Sequence, residues 1–276
     1  MDIFLYFCTT MIDYTLNIKG QLFRMQPPVV MGILNATPDS FYTGSRVQSE
    51  DEIARRADQI IAEGGAIIDV GACSTRPGGE PVSAAEEMSR MRNALRIIRA
   101  RHPEAILSID TFRTDVARMA VGEFGADIIN DVSEGEDPGM FKFVAEAQVP
   151  YVLMSLQSNM HDMIISFVRK TQQLRELGLN DIILDPGFGF GKTMAENYQL
   201  LAGMDRLQVL ELPILVGISR KRMIHQILHI TPDEALNGTT VLNTIALLRG
   251  ASILRVHDVR AAVEAVTITS QLSPSI

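Results

Sequence analysis

Residues 182–192 read Ile-Ile-Leu-Asp-Pro-Gly-Phe-Gly-Phe-Gly-Lys. Ile182, Ile183 and Leu184 form a short apolar run without polar alternation, the pattern of a strand buried on both faces. The run stops at Asp185. A carboxylate at the end of a buried strand is costly unless something pairs with it. Pro186 and the glycines Gly187, Gly189 and Gly191 forbid a regular element and let backbone approach a ligand closely. The stretch is therefore strand, acid, glycine-rich loop, with Phe188 and Phe190 as flat apolar faces beside the acid. A tight turn with a solvated aspartate is the competing account. Recurrence of the arrangement along the chain decides against it.

Outward from this stretch, short apolar runs alternate with amphipathic segments. The runs are Val29–Leu34, Ala66–Val70, Ala105–Ile109, Asp127–Ile129, Tyr151–Met154, Ile182–Leu184, Ile214–Ile218 and Ile253–Val256. Helices are expected at 50–63, 83–100, 113–123, 138–147, 160–178, 194–204, 220–229 with 234–249, and 258–270, with Ser49, Ser83 and Thr193 as N-caps. Eight strand–helix units predict an α/β fold, a (β/α)8 TIM barrel; a doubly wound open sheet is the alternative. Upstream, Tyr14–Ile18 and Gln21–Met25 flank Lys19-Gly20 and read as a short N-terminal hairpin placed to cap the barrel bottom. No linker or low-complexity segment interrupts residues 1–276, so one domain is expected, with residues 1–13 as an irregular N-terminal extension.

The chain has 276 residues, 46% hydrophobic and 21% charged, with a net charge of −8. That balance argues against a nucleic-acid partner, which needs a basic face. It leaves room for a small anion in a locally basic pocket. Cys8 and Cys73 carry neither metal spacing nor a disulfide framework, which fits a reducing compartment, and a cytoplasmic location is expected. No run approaches the roughly 20 apolar residues of a membrane span, so no membrane partner is expected. No base precedes the apolar Ile3–Phe7 segment, which argues against a signal peptide.

Polar residues fall where the strands end: Asn35, Asp69, Asp110, Asn130, Asp131, Ser155, Asp185, Ser219, Arg255 and His257. In a barrel those ends converge on one mouth. Gly187 to Thr193 nearly spells a phosphate-binding P-loop, but one residue is missing before Gly-Lys-Thr and Asp185 would repel a phosphate. Ser219-Arg220-Lys221-Arg222 places three bases at a helix start, where cations are disfavoured without a reason. Arg255 and His257 alternate about Val256 and so point the same way, which reads as two cations in an anion clamp. Asn35–Phe41 and Arg76-Pro77-Gly78-Gly79 read as mouth loops, the first as a lid. The mouth thus carries acceptors at one pole and positive charge at the other. The expected substrate is a flat, amine-rich heterocycle bearing an oxyanion.

Seven ordered blocks carry a family resemblance. They are Met-Gly-Ile-Leu-Asn-Ala-Thr-Pro-Asp-Ser-Phe (31–41), Ile-Ile-Asp-Val-Gly-Ala-Cys-Ser-Thr-Arg-Pro-Gly (67–78), Ser-Ile-Asp-Thr (108–111), Ile-Ile-Asn-Asp (128–131), Leu-Asp-Pro-Gly-Phe-Gly-Phe-Gly-Lys (184–192), Gly-Ile-Ser-Arg-Lys (217–221) and Arg-Val-His-Asp (255–258). From about Tyr14 onward the chain resembles the dihydropteroate synthase family. The resemblance implies a TIM-barrel transferase of folate biosynthesis and a sulfonamide target. It would condense a dihydropterin-methyl diphosphate with p-aminobenzoate by a dissociative mechanism, as a homodimer through its last helices.

The resemblance also implies roles. Asp110, Asn130 and Asp185 would hold the pterin edge, with Lys221 on its carbonyl and Met154 and Phe190 against the ring. Asn35, Arg76, Arg255 and His257 would hold the diphosphate, with Asn35 as the one protein ligand of Mg2+. Phe41, Thr75, Arg76, Pro77, Phe190 and Ser219 would shape the p-aminobenzoate pocket. The catalytic set would be Asp110, Lys221, Arg255, His257, and Asp39 and Arg76 from the closing loops. Three positions depart from the common family pattern: Cys73 for Glu, Met154-Ser155-Leu156 for a Met-His-Met type segment, and Arg222 for Ser. A corrinoid-linked methyltransferase and a catalytically idle pterin-binding paralogue are the alternatives; the first would lack the Ser-Arg-Lys and Ser-Thr-Arg-Pro blocks present here.

Overall fold

A computed structural model describes residues 13–36, 45–73 and 82–272, apart from the side chains of residues 45–49. Asp39, Phe41, Thr75, Arg76 and Pro77 lie outside the described residues, as do residues 1–12 of the expected N-terminal extension. In chain order the elements are β1 (Thr15–Ile18), β2 (Gln21–Arg24), β3 (Val29–Asn35), α1 (Ser45–Ala62), β4 (Ile67–Gly71), α2 (Ala84–Arg101), β5 (Ile106–Asp110), α3 (Thr114–Phe124), β6 (Ile128–Asp131), α4 (Met140–Ala147), β7 (Tyr151–Met154) and α5 (Met160–Glu176). Then come β8 (Ile182–Asp185), α6 (Met194–Ala202), β9 (Leu215–Val216), α7 (Arg222–His225), α8 (Leu236–Leu248), β10 (Ile253–Val256) and α9 (Val259–Ser270).

β3 to β10 are all parallel. Each pairs with the next, except that β8 meets the β9 segment through a single Leu184–Ile214 bridge. β10 pairs back onto β3, with Arg255 opposite Met31. The ring is a nearly closed eight-stranded barrel, which sets aside the open doubly wound sheet. Ser83 and Thr193 cap α2 and α6 as expected, Thr193 in a reciprocal capping box with Glu196. Ser49, expected as an N-cap, lies inside α1, which begins four residues earlier, at Ser45.

Alternation along the strands places the site. Met31, Ile67, Ile128, Val152, Ile183, Leu215 and Ile253 point into the barrel near its amino-terminal end. There they pack with Leu16, Ile18 and Met25 of the β1–β2 hairpin, which plugs the bottom as expected. Outward-facing residues such as Leu34, Ile68, Leu107, Leu153, Leu184 and Leu254 join the helices in a second core with Ile60, Leu95 and Phe167. Two residues above the plug, the same inward direction is taken by Asp69, Asn130, Met154, Asp185 and Arg255. An apolar plug therefore supports a mostly polar layer, and the polar layer opens only towards the mouth.

The plug has its own ionic anchor. Asp127, buried at the foot of β6, accepts from Lys19 Nζ of the hairpin at 2.8 Å, from Arg99 Nη2 at 3.2 Å and from the Leu107 amide at 2.9 Å. Asp127→Ala leaves the largely buried Arg99 without its carboxylate. We expect a loss of about 3 kcal/mol in urea unfolding, with the mouth chemistry intact.

Candidate active site

At the centre of the polar layer, Arg255 joins two carboxylates. Its Nε donates to Asp69 Oδ2 at 2.6 Å, and its Nη2 pairs with Asp110 Oδ2. Asp69 is fully buried. Its other oxygen accepts from Ser108 Oγ at 2.6 Å, and Asn130 Nδ2 lies 3.4 Å from both Asp69 oxygens. Burial alone would weaken the charge on Arg255, but Asp69 and Asp110 outweigh it and raise its proton affinity above the ordinary arginine value. Burial pushes Asp110 up to about 7, with Asp69 and Glu87 adding to the rise and Arg255 opposing it. Asn130 is also buried, and its Oδ1 has no hydrogen-bond partner. An unpaired acceptor in a buried layer is costly, and a ligand N–H would satisfy it.

The glycine-rich stretch that follows β8 forms the next wall. Burial raises Asp185, while nearby Lys221 and the Gly187 amide pull it back; Gly187 N–H donates to Asp185 Oδ1 at 2.7 Å. Lys221 donates to the Phe188 carbonyl, and its Nζ sits 4.6 Å from the Phe190 ring centroid, over its face. Burial lowers Lys221 to about 8, against the pull of Asp185. The two phenylalanines part company. Phe188 is fully buried in the outer core, so only Phe190 faces the mouth, which corrects the expectation of two aromatic faces beside the acid.

Lys192, the near-P-loop lysine, holds no phosphate cradle. Its Nζ donates to the carbonyls of Ser155 at 3.0 Å, Gly187 at 2.9 Å and Phe190 at 3.4 Å, tying the loops after β7 and β8 together. The Ser155 departure thus contributes its carbonyl to this brace, while its Oγ accepts from the Gln157 amide. Met154 beside it is fully buried. Gly187 is required here: its φ is +69°, and a Cβ would lie 2.3 Å from the Ser155 carbonyl oxygen. Gly187→Ala must therefore move the β7 loop. We expect at least about 2 kcal/mol of destabilisation and a larger loss of ligand affinity, read by unfolding and by calorimetric titration.

The basic block resolves into different duties. Arg220 is taken up by Asp258, through Nε at 3.0 Å and Nη2 at 2.7 Å, and by Asp233 at 3.1 Å. Arg222 starts α7 and is exposed. Only Lys221 turns into the mouth. Ser219 is buried and its Oγ lies 3.0 Å from His257 Nδ1. His257 is lowered to about 4, first by burial and then by Arg220 and Arg255. Its imidazole is neutral at pH 7, so the mouth holds a guanidinium and a neutral ring, not the two cations expected.

A Cβ built on Gly71 would lie 3.6 Å from Asp110 Oδ2 and 3.7 Å from Asn35 Oδ1, so those two groups border the same gap. Asn35 is exposed at the end of β3. Among the described residues, no group of three or more His, Cys, Asp or Glu could hold a metal ion. The donor set suits Mg2+ only as an ion that brings its own phosphate oxygens and waters and takes one amide oxygen from the protein.

The described part of the expected set therefore gathers at one mouth: Asn35, Asp110, Asn130, Met154, Asp185, Phe190, Ser219, Lys221, Arg255 and His257. Two participants had no role assigned from sequence. Asp69 was visible only as a polar strand residue; its place between inward Ile67 and Gly71 is the signal. Arg56 of α1 gave none. It donates from Nε to the Ile33 carbonyl at 3.0 Å and from Nη2 to the His257 carbonyl at 2.6 Å, bracing the first and last barrel strands.

The model for the family "Pterin binding enzyme" matches residues 31–257. Dihydropteroate synthase of Escherichia coli K12 is 38% identical over 265 residues, covering 91% of this chain and 93% of the relative. That of Streptococcus pyogenes serotype M6 is 40% identical over 254 residues, covering 88% and 95%. Among solved structures, Xanthomonas albilineans dihydropteroate synthase with 4-aminobenzoic acid superposes with a TM-score of 0.88 at 34% identity, covering 96% of this chain and all of that one. The same enzyme in complex with 7,8-dihydropteroate gives 0.85 at 34% identity, over 95% of this chain. Fold, motifs and sequence agree along nearly the whole length, and the chain belongs to the dihydropteroate synthase family of pterin-binding enzymes.

Proposed function

We propose that this chain joins a 7,8-dihydropterin-methyl diphosphate to p-aminobenzoate, releasing diphosphate and forming 7,8-dihydropteroate. The observation that carries the reading is the inward layer itself. Buried acceptors on Asn130 and Asp185 face a basic pole of Lys221 and Arg255 across one mouth. Asp185 Oδ2 and Asn130 Oδ1 accept from the amino group and ring N–H of the pterin. Lys221 donates to the pterin carbonyl, and Phe190 and Met154 cover the ring. Arg255 and His257 hold the diphosphate with Arg76, and Asn35 would hold a Mg2+ ion carried on it. When bound, that ion supplies charge neutralisation for the leaving group.

The step is dissociative. The C–O bond to the diphosphate breaks, the methylene carbon takes positive charge, and Asp110 with its partner Asp69 favours that charge electrostatically. The arylamine of p-aminobenzoate then attacks that carbon and gives up one N–H proton to the released diphosphate or solvent, in a pocket assigned to Phe41, Thr75, Arg76, Pro77, Phe190 and Ser219. Asp39 and Arg76 are assigned the exclusion of water from the reacting pair. No protein nucleophile is needed. Yersinia pestis dihydropteroate synthase has been solved with a sulfonamide drug; sulfonamides are expected to compete here for the p-aminobenzoate pocket.

We place the enzyme in the cytoplasm as a homodimer. No helix among the described residues is long and apolar enough to cross a membrane. Exposed Val241, Ile245 and Leu248 share one face of α8, which supports association through the last helices. Purified protein supplied with both substrates and Mg2+ should release one diphosphate per dihydropteroate formed. Folded protein that binds the pterin yet releases no diphosphate would leave only the idle paralogue.

A further inference from the structure

His257 meets Ser219 through one ring nitrogen, Nδ1, so the position of its single proton decides what the other nitrogen, Nε2, can offer. Ser219 Oγ already accepts the main-chain N–H of His257 at 3.2 Å, and the same oxygen lies 3.0 Å from His257 Nδ1. The Ser219 hydroxyl is buried, and among the described residues its proton has no other acceptor. A proton on Nδ1 would give Oγ a second donor and leave the buried hydroxyl hydrogen without a protein acceptor among the described residues. With the hydroxyl donating to Nδ1, every group is satisfied and the ring proton must sit on Nε2. Arg56 Nη2 donates to the His257 carbonyl at 2.6 Å, which fixes the main chain from which the ring projects.

We infer that Ser219 is a positioning residue that locks His257 in its Nε2–H tautomer, so that the ring presents a hydrogen-bond donor to the diphosphate oxygens. The inference rests on the reading above for the diphosphate, and it deepens it: a neutral ring donates without supplying a proton to the leaving group. It gives Ser219 a duty separate from any contact with p-aminobenzoate. The other tautomer would turn a bare lone pair towards an anion and repel it.

The test is nitrogen-15 NMR of the imidazole rings in the free full-length protein, with His257 assigned by its loss in His257→Gln. Wild-type protein should show a protonated Nε2 and an unprotonated Nδ1. Ser219→Ala should lose that preference and bind inorganic diphosphate about tenfold more weakly, the loss of one good hydrogen bond; Ser219→Thr should restore both. A protonated Nδ1 in the wild type, or an unchanged tautomer in Ser219→Ala, overturns the assignment, and the wild-type spectrum serves even if a variant fails to fold. If the tautomers behave as expected but diphosphate leaves the His257 signals and the affinities untouched, the lock stands. The diphosphate reading, and the donor role built on it, then fall.

Discussion

Replacing Arg255 with alanine should cost about 3–5 kcal/mol of unfolding free energy and at least about a hundredfold in turnover, and the two losses should be separable. Arg255 reaches both Asp69 and Asp110, and Asp69 has no exposed surface. Without the guanidinium, two carboxylates remain side by side in a buried layer, with Ser108 and Asn130 as the neutral partners of Asp69. The stability loss is therefore a charge-balance effect and should be answered by removing charge. Asp69→Asn on the Arg255→Ala background should recover most of it in urea titrations. On the proposed reading the rate should stay low in the double variant, because the diphosphate would still lack a guanidinium partner. A stable Arg255→Ala protein would mean that the acids do not depend on this cation. Recovery of rate in the double variant would mean that Arg255 acts on the fold alone.

That coupling shows what sequence could and could not convey. The barrel was legible because its signal is repeated: eight apolar runs, each followed by a polar residue, leave few ways to fold. The candidate site was legible as a place in the fold at positions such as Asp185, where a carboxylate ends a buried run and needs a reason. Pairing across strands was not. Asp69 and Arg255 are 186 residues apart and meet only because β10 closes onto β3, with β4 next to it. Charge was misread at His257 for the same reason. Its neutrality comes from burial first, with Arg220 and Arg255 adding to it, none of which a strand pattern reports. The three bases at 220–222 show the converse. A linear cluster looked like one device and is divided among an ion pair with Asp258, a mouth cation and a surface residue.

The lowered proton affinity of Lys221 sets the second large effect, on pH dependence. Burial brings this lysine to about 8, from an ordinary 10.5. In the free enzyme it therefore loses its charge as pH rises through about 8, and Asp185 loses a neighbouring cation. Since kcat/KM reports the free enzyme, it should fall towards one decade per pH unit above that point. If Lys221 donates to the pterin carbonyl as proposed, the profile of kcat should break at higher pH, because that acceptor would favour its charged form. Unfolding cannot be the cause of this limb. A lysine whose folded affinity is depressed destabilises the fold while charged, so its contribution improves between pH 8 and 10.5 as the native state sheds the proton first. Lys221→Met should lower kcat/KM by at least about a hundredfold and flatten the alkaline limb. Lys221→Arg, charged throughout, should move the limb out of range at a reduced maximum. An alkaline limb that persists near pH 8 in Lys221→Met would assign the titration to another group and remove Lys221 from pterin recognition.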